Sequence, residues 1–196
     1  MSRYAALICL PLLLASPASA ADLLNRAGGA NVVVEGNTGA VRCSTHARMA
    51  ADGMMSPAEA VATCTDSLNL EPLSLRDKSA TYTNRGVLYM TMSGLPAARA
   101  DFDAAIALDP DLSEPYINRG AILLAMGDYA GGLADLDRGI ALGDLKEPWK
   151  VYFNRGIAHE NLNQARAAYE DYSKAAELKP DWDAPKTELA RFVVKR

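Results

Sequence analysis

The sequence predicts an all-α protein built from a repeated pair of helices, and three observations lead to this prediction. An Asn-Arg-Gly triplet recurs at a nearly constant spacing of 34 and then 36 residues. Apolar residues between the triplets follow the spacing of helices rather than the alternation of strands. Each interval also divides into two helical runs separated by a turn, and a fixed period of this length indicates a repeat architecture. With 196 residues, the chain is long enough for one domain or a short repeat array.

Residues 1–20 have the pattern of an export signal. Arg3 precedes the apolar stretch 5–14, and a small-residue cleavage site ends at Ala20. We therefore expect a signal peptide at 1–20 that is cleaved after Ala20, and a periplasmic or secreted protein. A retained membrane anchor is the alternative, but about ten apolar residues interrupted by Pro11 are shorter than the roughly 20 that cross a bilayer.

The overall charge is mildly acidic, with 20 Lys and Arg against 24 Asp and Glu and a formal net charge of -4. Removal of residues 1–20 takes away one Arg and no acidic residue, which moves the net charge to -5. A protein that binds nucleic acid by neutralising phosphates carries the opposite charge, so we expect no nucleic-acid partner. Beyond residue 20 no apolar stretch approaches the length of a membrane span, so we expect no integral span after cleavage.

Two cysteines, Cys43 and Cys64, remain after cleavage, and an oxidising compartment favours a disulfide between them. In the chain-entropy account, a bridge that closes a loop of about twenty residues stabilises a fold by roughly 3 kcal/mol. The alternative is a thiol- or metal-dependent envelope protein that uses Cys43, His46 and Cys64, because Cys43 and His46 have a C-x-x-H spacing. Structural zinc sites usually have four ligands, and the other His lies far downstream, so the disulfide is favoured.

The three periods share positions beyond the triplet. When they are aligned on the Asn of each triplet, an aromatic residue precedes it and a large apolar residue follows it in every period. The residues in register are Tyr82, Tyr116 and Tyr152, followed by Phe102, Leu136 and Tyr172. The second period has Gly132 and Gly139 inside a helix, where glycine costs roughly 1 kcal/mol relative to alanine, so we expect this repeat to be the least stable.

This set of positions resembles the tetratricopeptide repeat (TPR), whose pattern is Trp-x2-Leu-Gly-x2-Tyr, then Ala-x3-Phe, then Pro. The first repeat differs from the pattern at Tyr82 and Arg85 only, and its matching positions are Gly86, Tyr89, Ala98, Phe102 and Pro110. In the third repeat His159 replaces the usual aromatic residue, and we expect it to be packed rather than a ligand. The resemblance implies a right-handed TPR solenoid of three helix-turn-helix repeats with a concave and a convex face. Their bounds are about 79–112, 113–148 and 149–182.

The resemblance is to short exported TPR proteins of bacteria, and it covers a TPR domain at 56–196. Ser56 and Glu59 form a capping box, which predicts a helix over Pro57–Leu68. We interpret this helix as a degenerate N-terminal half-repeat, with a short helix near Ser44–Ala51 as its partner.

The two ends of the chain are predicted to differ in order. At the C-terminus we predict a capping helix over 183–196. Residues 21–55 are predicted to form an N-terminal extension that is partly ordered. A small hairpin of Val32–Val34 with Ala40–Arg42 and a flexible linker are equally compatible with the sequence there.

The sequence contains no catalytic constellation, so we expect a non-enzymatic protein that needs no cofactor. Recurring arginines are expected to pair with recurring aspartates within or between repeats. Recognition of a phosphate or carboxylate by these arginines is the alternative. The residues concerned are Arg85, Arg119 and Arg155, and Asp101, Asp135 and Asp171.

The functional hypothesis depends on Asn84, Asn118 and Asn154. The resemblance places this position on the concave face, where some TPR proteins hold the backbone of an extended peptide. An amide offers a donor and an acceptor together, as a peptide unit requires. In the alternative, the asparagines tie adjacent helices together. The same register brings to the groove Thr83, Val87, Ile117, Phe153, Ile157 and Asn161.

We therefore predict an interaction module or scaffold of the bacterial envelope that binds an extended peptide or a partner protein in the concave groove. Only Lys150 supplies a cation plainly in register with this groove. An acidic C-terminal tail, as bound by chaperone-binding TPR proteins, is therefore not expected. A homo-oligomer formed through an exposed face of the solenoid is a further alternative.

Overall fold

The computed structural model describes residues 7–9 and 39–194, and this part of the chain contains nine helices and two short strands. The strands are β1 (Leu7–Cys9) and β2 (Phe192–Val194). The helices are α1 (Gly39–Ala51), α2 (Pro57–Leu70), α3 (Leu75–Thr91), α4 (Leu95–Leu108), α5 (Ser113–Ala125), α6 (Tyr129–Leu142), α7 (Pro148–Asn161), α8 (Ala165–Leu178) and α9 (Asp183–Leu189).

The helices pack as consecutive pairs, and a short turn joins the two helices of each pair. The pairs are α1–α2, α3–α4, α5–α6 and α7–α8, and the second helix of each pair also packs on the first helix of the next. The predicted all-α fold of paired helices is therefore confirmed. Among the described residues, no helix is both long and apolar enough to cross a bilayer.

The partner helix predicted near Ser44–Ala51 is present as α1, and it packs with α2 as a complete leading pair. Helix α1 begins at Gly39, five residues before the predicted start, and the Gly39 N–H donates to Oε2 of Glu71 at 2.6 Å. The strand interpretation of residues 40–42 is wrong, since they are helical. The other predicted strand of that hairpin lies outside the described residues, as do the predicted cleavage site and most of the signal peptide.

A cluster of small buried residues holds α1 to α2. Cys43 and Ala47 on α1 pack against Ala60 and Cys64 on α2, and Leu88 of α3 closes the cluster. In the structure, the Sγ atoms of Cys43 and Cys64 are 2.06 Å apart and their Cα atoms 4.6 Å apart. This bridge lies where the sequence pattern of the repeat is weakest.

Glycines allow the two helices of each repeat to approach closely. A Cβ on Gly86 would lie 2.6 Å from the ring of Phe102, and a Cβ on Gly156 would lie 2.7 Å from the ring of Tyr172. Both distances are too short for a real contact, so a larger residue would push the helices apart.

The turn inside each repeat contains one residue in the left-handed region. Ser93, Gly127 and Asn163 occupy the same position in the three repeats, with φ of 59°, 84° and 60°. A residue other than glycine is strained in this conformation.

The two ends of the array differ from their predicted bounds. The first repeat begins at Leu75 rather than 79, because the Ser74 hydroxyl caps α3 by accepting from the Asp77 N–H. The capping helix predicted over 183–196 is wrong in length, since α9 ends at Leu189. The chain continues as strand β2, where β-branched residues and Phe192 favour an extended backbone.

Candidate functional site

The three asparagines of the recurring triplets lie at equivalent positions on α3, α5 and α7, the first helices of the three repeats. All are buried: the exposed fractions of Asn84, Asn118 and Asn154 are 0%, 2% and 2%. Asn84 and Asn118 each have an interaction partner. The Nδ2 group of Asn154, in contrast, is buried and has no acceptor within the part of the chain that the structure describes.

The other predicted groove residues differ in burial. Thr83, Val87 and Phe153 are buried, and the Thr83 hydroxyl donates to the Ser79 carbonyl at 2.9 Å. Ile117 and Ile157 are half-buried, and Asn161 is exposed. The Asn161 amide donates to the Ile157 carbonyl at 2.8 Å, within its own helix. Peptide contact by these side chains remains a prediction.

The recurring arginines form two-pronged ion pairs with the recurring aspartates, as predicted. Nε and Nη2 of each guanidinium donate to the two carboxylate oxygens of an Asp on the second helix of the same repeat. The donor–acceptor distances are 2.8 and 2.8 Å for Arg85–Asp101, 2.7 and 2.7 Å for Arg119–Asp135, and 2.8 and 2.7 Å for Arg155–Asp171. The aspartates are buried, so each pair is a charge-assisted contact inside the repeat.

The third nitrogen of each guanidinium reaches the preceding helix pair. Nη1 of Arg119 donates to Asp103 at 2.7 Å, and Nη1 of Arg155 donates to Asp137 at 2.9 Å. In the first repeat Thr65 takes the place of the carboxylate, and Arg85 donates to its hydroxyl at 3.0 Å. We call these three arginines with their partners the arginine ladder.

Tyrosines cover the arginine ladder. The guanidinium carbons of Arg85, Arg119 and Arg155 lie 5.5, 5.8 and 5.4 Å from the ring centroids of Tyr82, Tyr116 and Tyr152. Hydrogen bonding to Asp135 raises the pKa of Arg119 above its usual value, and Asp171 does the same for Arg155. Because these guanidinium groups are engaged inside the fold, the geometry favours the structural pairing over recognition of a phosphate or carboxylate.

The residues of the thiol or metal alternative are not assembled into a ligand set. The two sulfurs are bonded to each other, and Nδ1 of His46 lies 2.8 Å from the Thr63 hydroxyl. Among residues 7–9 and 39–194, no group of three or more His, Cys, Asp or Glu side chains is placed to hold a metal ion. Neither sulfur is available as a thiolate while the bond is intact.

His159 and Lys150 also have partners close by in the sequence. Nδ1 of His159 lies 2.5 Å from Oε1 of Gln164, and its Nε2 lies 3.6 Å from Asp171, which agrees with a packed histidine. Lys150 pairs with Glu147 at 2.8 Å. The cation predicted to lie in the groove register is therefore already paired with a neighbouring carboxylate.

Stacked helix pairs with small residues at their contacts define an α-helical repeat protein. Residues 150–181 match the family described as Tetratricopeptide repeat. The chain has an all-α fold of the TPR type.

Solved structures share this fold at low sequence identity. MamA from Desulfovibrio magneticus RS-1, from residue 41 to its end, is 20% identical with a TM-score of 0.63, over 80% of this chain and 84% of that one. The Arabidopsis OM64 TPR domain is 23% identical with a TM-score of 0.57, over 60% of this chain and 96% of that one.

A third structure was solved with a ligand. The second TPR domain of human RPAP3, in complex with an HSP70 peptide, is 21% identical with a TM-score of 0.54, over 60% of this chain and 97% of that one. No curated protein matches the chain in sequence.

Proposed function

We propose that this protein is a non-enzymatic interaction module of the bacterial envelope. It binds an extended peptide or a partner protein along the face formed by α3, α5 and α7. Three kinds of support are available: the TPR fold, the peptide bound by the RPAP3 domain of the same fold, and the aligned asparagines.

The observation that carries the proposal is the Nδ2 group of Asn154. A buried donor that lacks an acceptor costs about 1–3 kcal/mol, so a fold retains one only where something offsets that cost. The carbonyl of an extended peptide would supply the acceptor. Asn84 and Asn118 stand at the equivalent places in the two preceding repeats.

The proposed partner is not an acidic tail. The cation in groove register, Lys150, is paired with Glu147. Nε and Nη2 of the ladder arginines are bonded to buried aspartates, and their Nη1 groups to the preceding helix pair. An acidic peptide would have to displace one of these carboxylates, whereas an uncharged backbone needs only amide partners.

The experiment that tests the proposal replaces Asn154 by Leu, which has nearly the same volume and removes the orphaned donor. We expect at least fivefold weaker capture of an envelope partner by chemical crosslinking, because about 1 kcal/mol is lost with one hydrogen bond. The melting temperature should stay the same or rise. The matched control is Asn69→Leu on exposed α2 surface. Undiminished capture by Asn154→Leu would contradict the proposal.

We also propose that the protein is exported and that its disulfide forms after export. Support comes from the pattern of residues 1–20 and from the burial of both cysteines. Alkylation of the unreduced exported protein should label neither Cys43 nor Cys64, and N-terminal sequencing should begin at Ala21. Labelling of both thiols would contradict the bridge.

A further inference from the structure

The first and last described segments of the chain form a small antiparallel sheet. Residues Leu7, Ile8 and Cys9 of β1 lie opposite Val194, Val193 and Phe192 of β2. The described residues contribute only these two strands to the sheet. A two-stranded sheet is marginal by itself, so it must be stabilised by what it packs against.

Strand β2 is held on the last repeat by its flanking side chains. The Phe192 ring is buried and lies 5.7 Å from the Tyr169 ring and 6.1 Å from the Tyr172 ring, both on α8. Arg191 pairs with Glu160 of α7 and with Glu188 of α9. These contacts fix the position of the strand.

Strand β1 packs against α8 as well as pairing with β2. The edge of β2 is therefore a place where an extended segment gains backbone hydrogen bonds and a helical surface at once. Addition of a strand to such an edge is a common mode of peptide recognition.

We propose that β2 is a peptide-docking edge and that the full chain fills it with its own residues 7–9. This inference rests on the proposed function in one respect, namely that residues 7–9 belong to a signal peptide. Cleavage after Ala20 then removes the occupant and leaves the edge open. The precursor is self-occupied, and the processed protein has a vacant edge suited to an apolar extended segment such as Leu7-Ile8-Cys9.

The pairing is tested first by crosslinking in the full chain. Opposite residues of an antiparallel pair have Cα atoms about 4.5–5.5 Å apart, within the range of a disulfide. In a Cys9→Ser background, the pair Leu7→Cys/Val194→Cys should form a bridge under mild oxidation, detected by peptide mass mapping. The control pair Leu7→Cys/Thr187→Cys should not. Equal bridging in both pairs, or none in the first, would overturn the proposal.

The docking edge is tested with a synthetic peptide of residues 4–12 that carries Ser in place of Cys9. Proline cannot donate to the ladder, so Ile8→Pro in the full chain should free β2. This variant should bind the peptide at least tenfold more tightly than the wild-type chain does, and Ile8→Val should bind it as the wild type does. Ile8→Pro/Val193→Pro should lose the gain, with unchanged helical circular dichroism as the folding control.

Equal binding of the peptide by Ile8→Pro and the wild-type chain would overturn the docking edge. The proposed binding face and the proposed docking edge are contradicted by different outcomes. Loss of partner capture in Asn154→Leu tests the helical face and does not involve β2. A full-length, uncleaved protein in the envelope would contradict the cleavage that vacates the edge, while the crosslink would still report the strand pairing.

Discussion

The second and third repeats solve the same packing problem with different side chains. In the third repeat, the ring of Tyr172 fills the space over Gly156, and Ala168 is the small residue on the facing helix. In the second repeat, the smaller Leu136 lies over Gly120, and Gly132 replaces the alanine. A Cβ on Gly132 would lie 3.0 Å from the Gly120 carbonyl oxygen, so the two backbones are in close contact. Where the filling side chain is smaller, the helices approach more closely, and glycine makes that approach feasible.

The glycines in α6 have a packing role that helix propensity does not describe. On helix propensity alone, Gly132 and Gly139 weaken the second repeat by roughly 1 kcal/mol each. In the folded chain, Gly132 contacts Leu124 and the backbone of α5, and a Cβ on Gly139 would lie 2.6 Å from Ile117. The residue that is poorest for an isolated helix is therefore the one that this helix pair requires. The expectation that the second repeat is the least stable remains a prediction.

The largest expected effect comes from giving the third repeat the side chain of the second. Tyr172→Leu should lower the free energy of unfolding by about 2–4 kcal/mol, because Ala168 holds the helices too far apart for Leu to fill the space. It also removes the hydroxyl that donates to Glu160 at 2.9 Å. Urea denaturation measures the loss. Tyr172→Phe is the control, with an expected loss of about 1 kcal/mol. Equal losses for Phe and Leu would show that ring volume is not what sets the spacing.

The next largest loss of stability is expected from changes in the arginine ladder, which is present in both repeats. Arg119→Met should destabilise by about 2–3 kcal/mol, because Asp135 is left buried without its counter-charge. Asp103→Asn removes the charge that pairs with Arg119 between repeats and with Arg99 at 3.9 Å. Asp103 is exposed in both pairs, so the change should cost no more than about 1 kcal/mol. Thermal melts of the two variants and their double variant give the coupling. If Asp103→Asn cost as much as Arg119→Met, the bonds within a repeat would not dominate.

A smaller loss of stability is expected at the glycines of α6, where helix propensity alone predicts that alanine would stabilise the protein. Gly132→Ala should destabilise by about 1–2 kcal/mol, despite the better helix propensity of alanine, because its Cβ meets backbone. A Cβ at position 139 meets Cγ1 of Ile117 at 2.6 Å but lies 3.5 Å from the Ser113 carbonyl oxygen, an ordinary contact, so Gly139→Ala should cost less. Denaturation midpoints of the two variants test this order. Stabilisation by Gly132→Ala would mean that propensity outweighs close packing in the second repeat.

The smallest effect concerns the turns. Glycine at the left-handed position should make Ser93→Gly more stable by up to about 1 kcal/mol, and Asn163→Gly by less, because asparagine tolerates this conformation better than serine. In the second repeat the position is already Gly127, and Gly127→Ala should destabilise by about 1 kcal/mol. Differential scanning calorimetry is sensitive enough to rank the three. A gain from Gly127→Ala would contradict the left-handed turn.

The sequence predicted the parts of this fold that depend on periodic local pattern. Recurring Tyr, Gly and Asn positions identified the helix pairs, and the recurring Arg85 and Asp101 identified the pairing inside a repeat. The left-handed turn residues were missed, because Ser93 and Asn163 carry no glycine signal. The role of Gly132 was missed for a different reason: propensity describes one helix, whereas its value here depends on the distance to another.

The candidate site was predicted less completely than the fold. Register along the helices identified Asn84, Asn118 and Asn154, but burial depends on every neighbour in three dimensions, and all three are enclosed. The strand at Phe192–Val194 was also missed, because its partner lies at the opposite end of the chain. No local window of sequence contains both strands.

The bond that Nη1 of each ladder arginine makes to the preceding helix pair fixes the position of one repeat relative to the repeat before it. The step to the third repeat is two residues longer than the step before it, 36 instead of 34, yet Arg155 reaches Asp137 at 2.9 Å much as Arg119 reaches Asp103 at 2.7 Å. The extra length is taken up in the linker, where Gly143 and Asp144 have φ of 79° and 53°. The bond between neighbouring repeats is therefore kept when the linker is two residues longer. Loops between repeats are the places where this chain is best lengthened, tagged or fused without breaking the contacts between its helices.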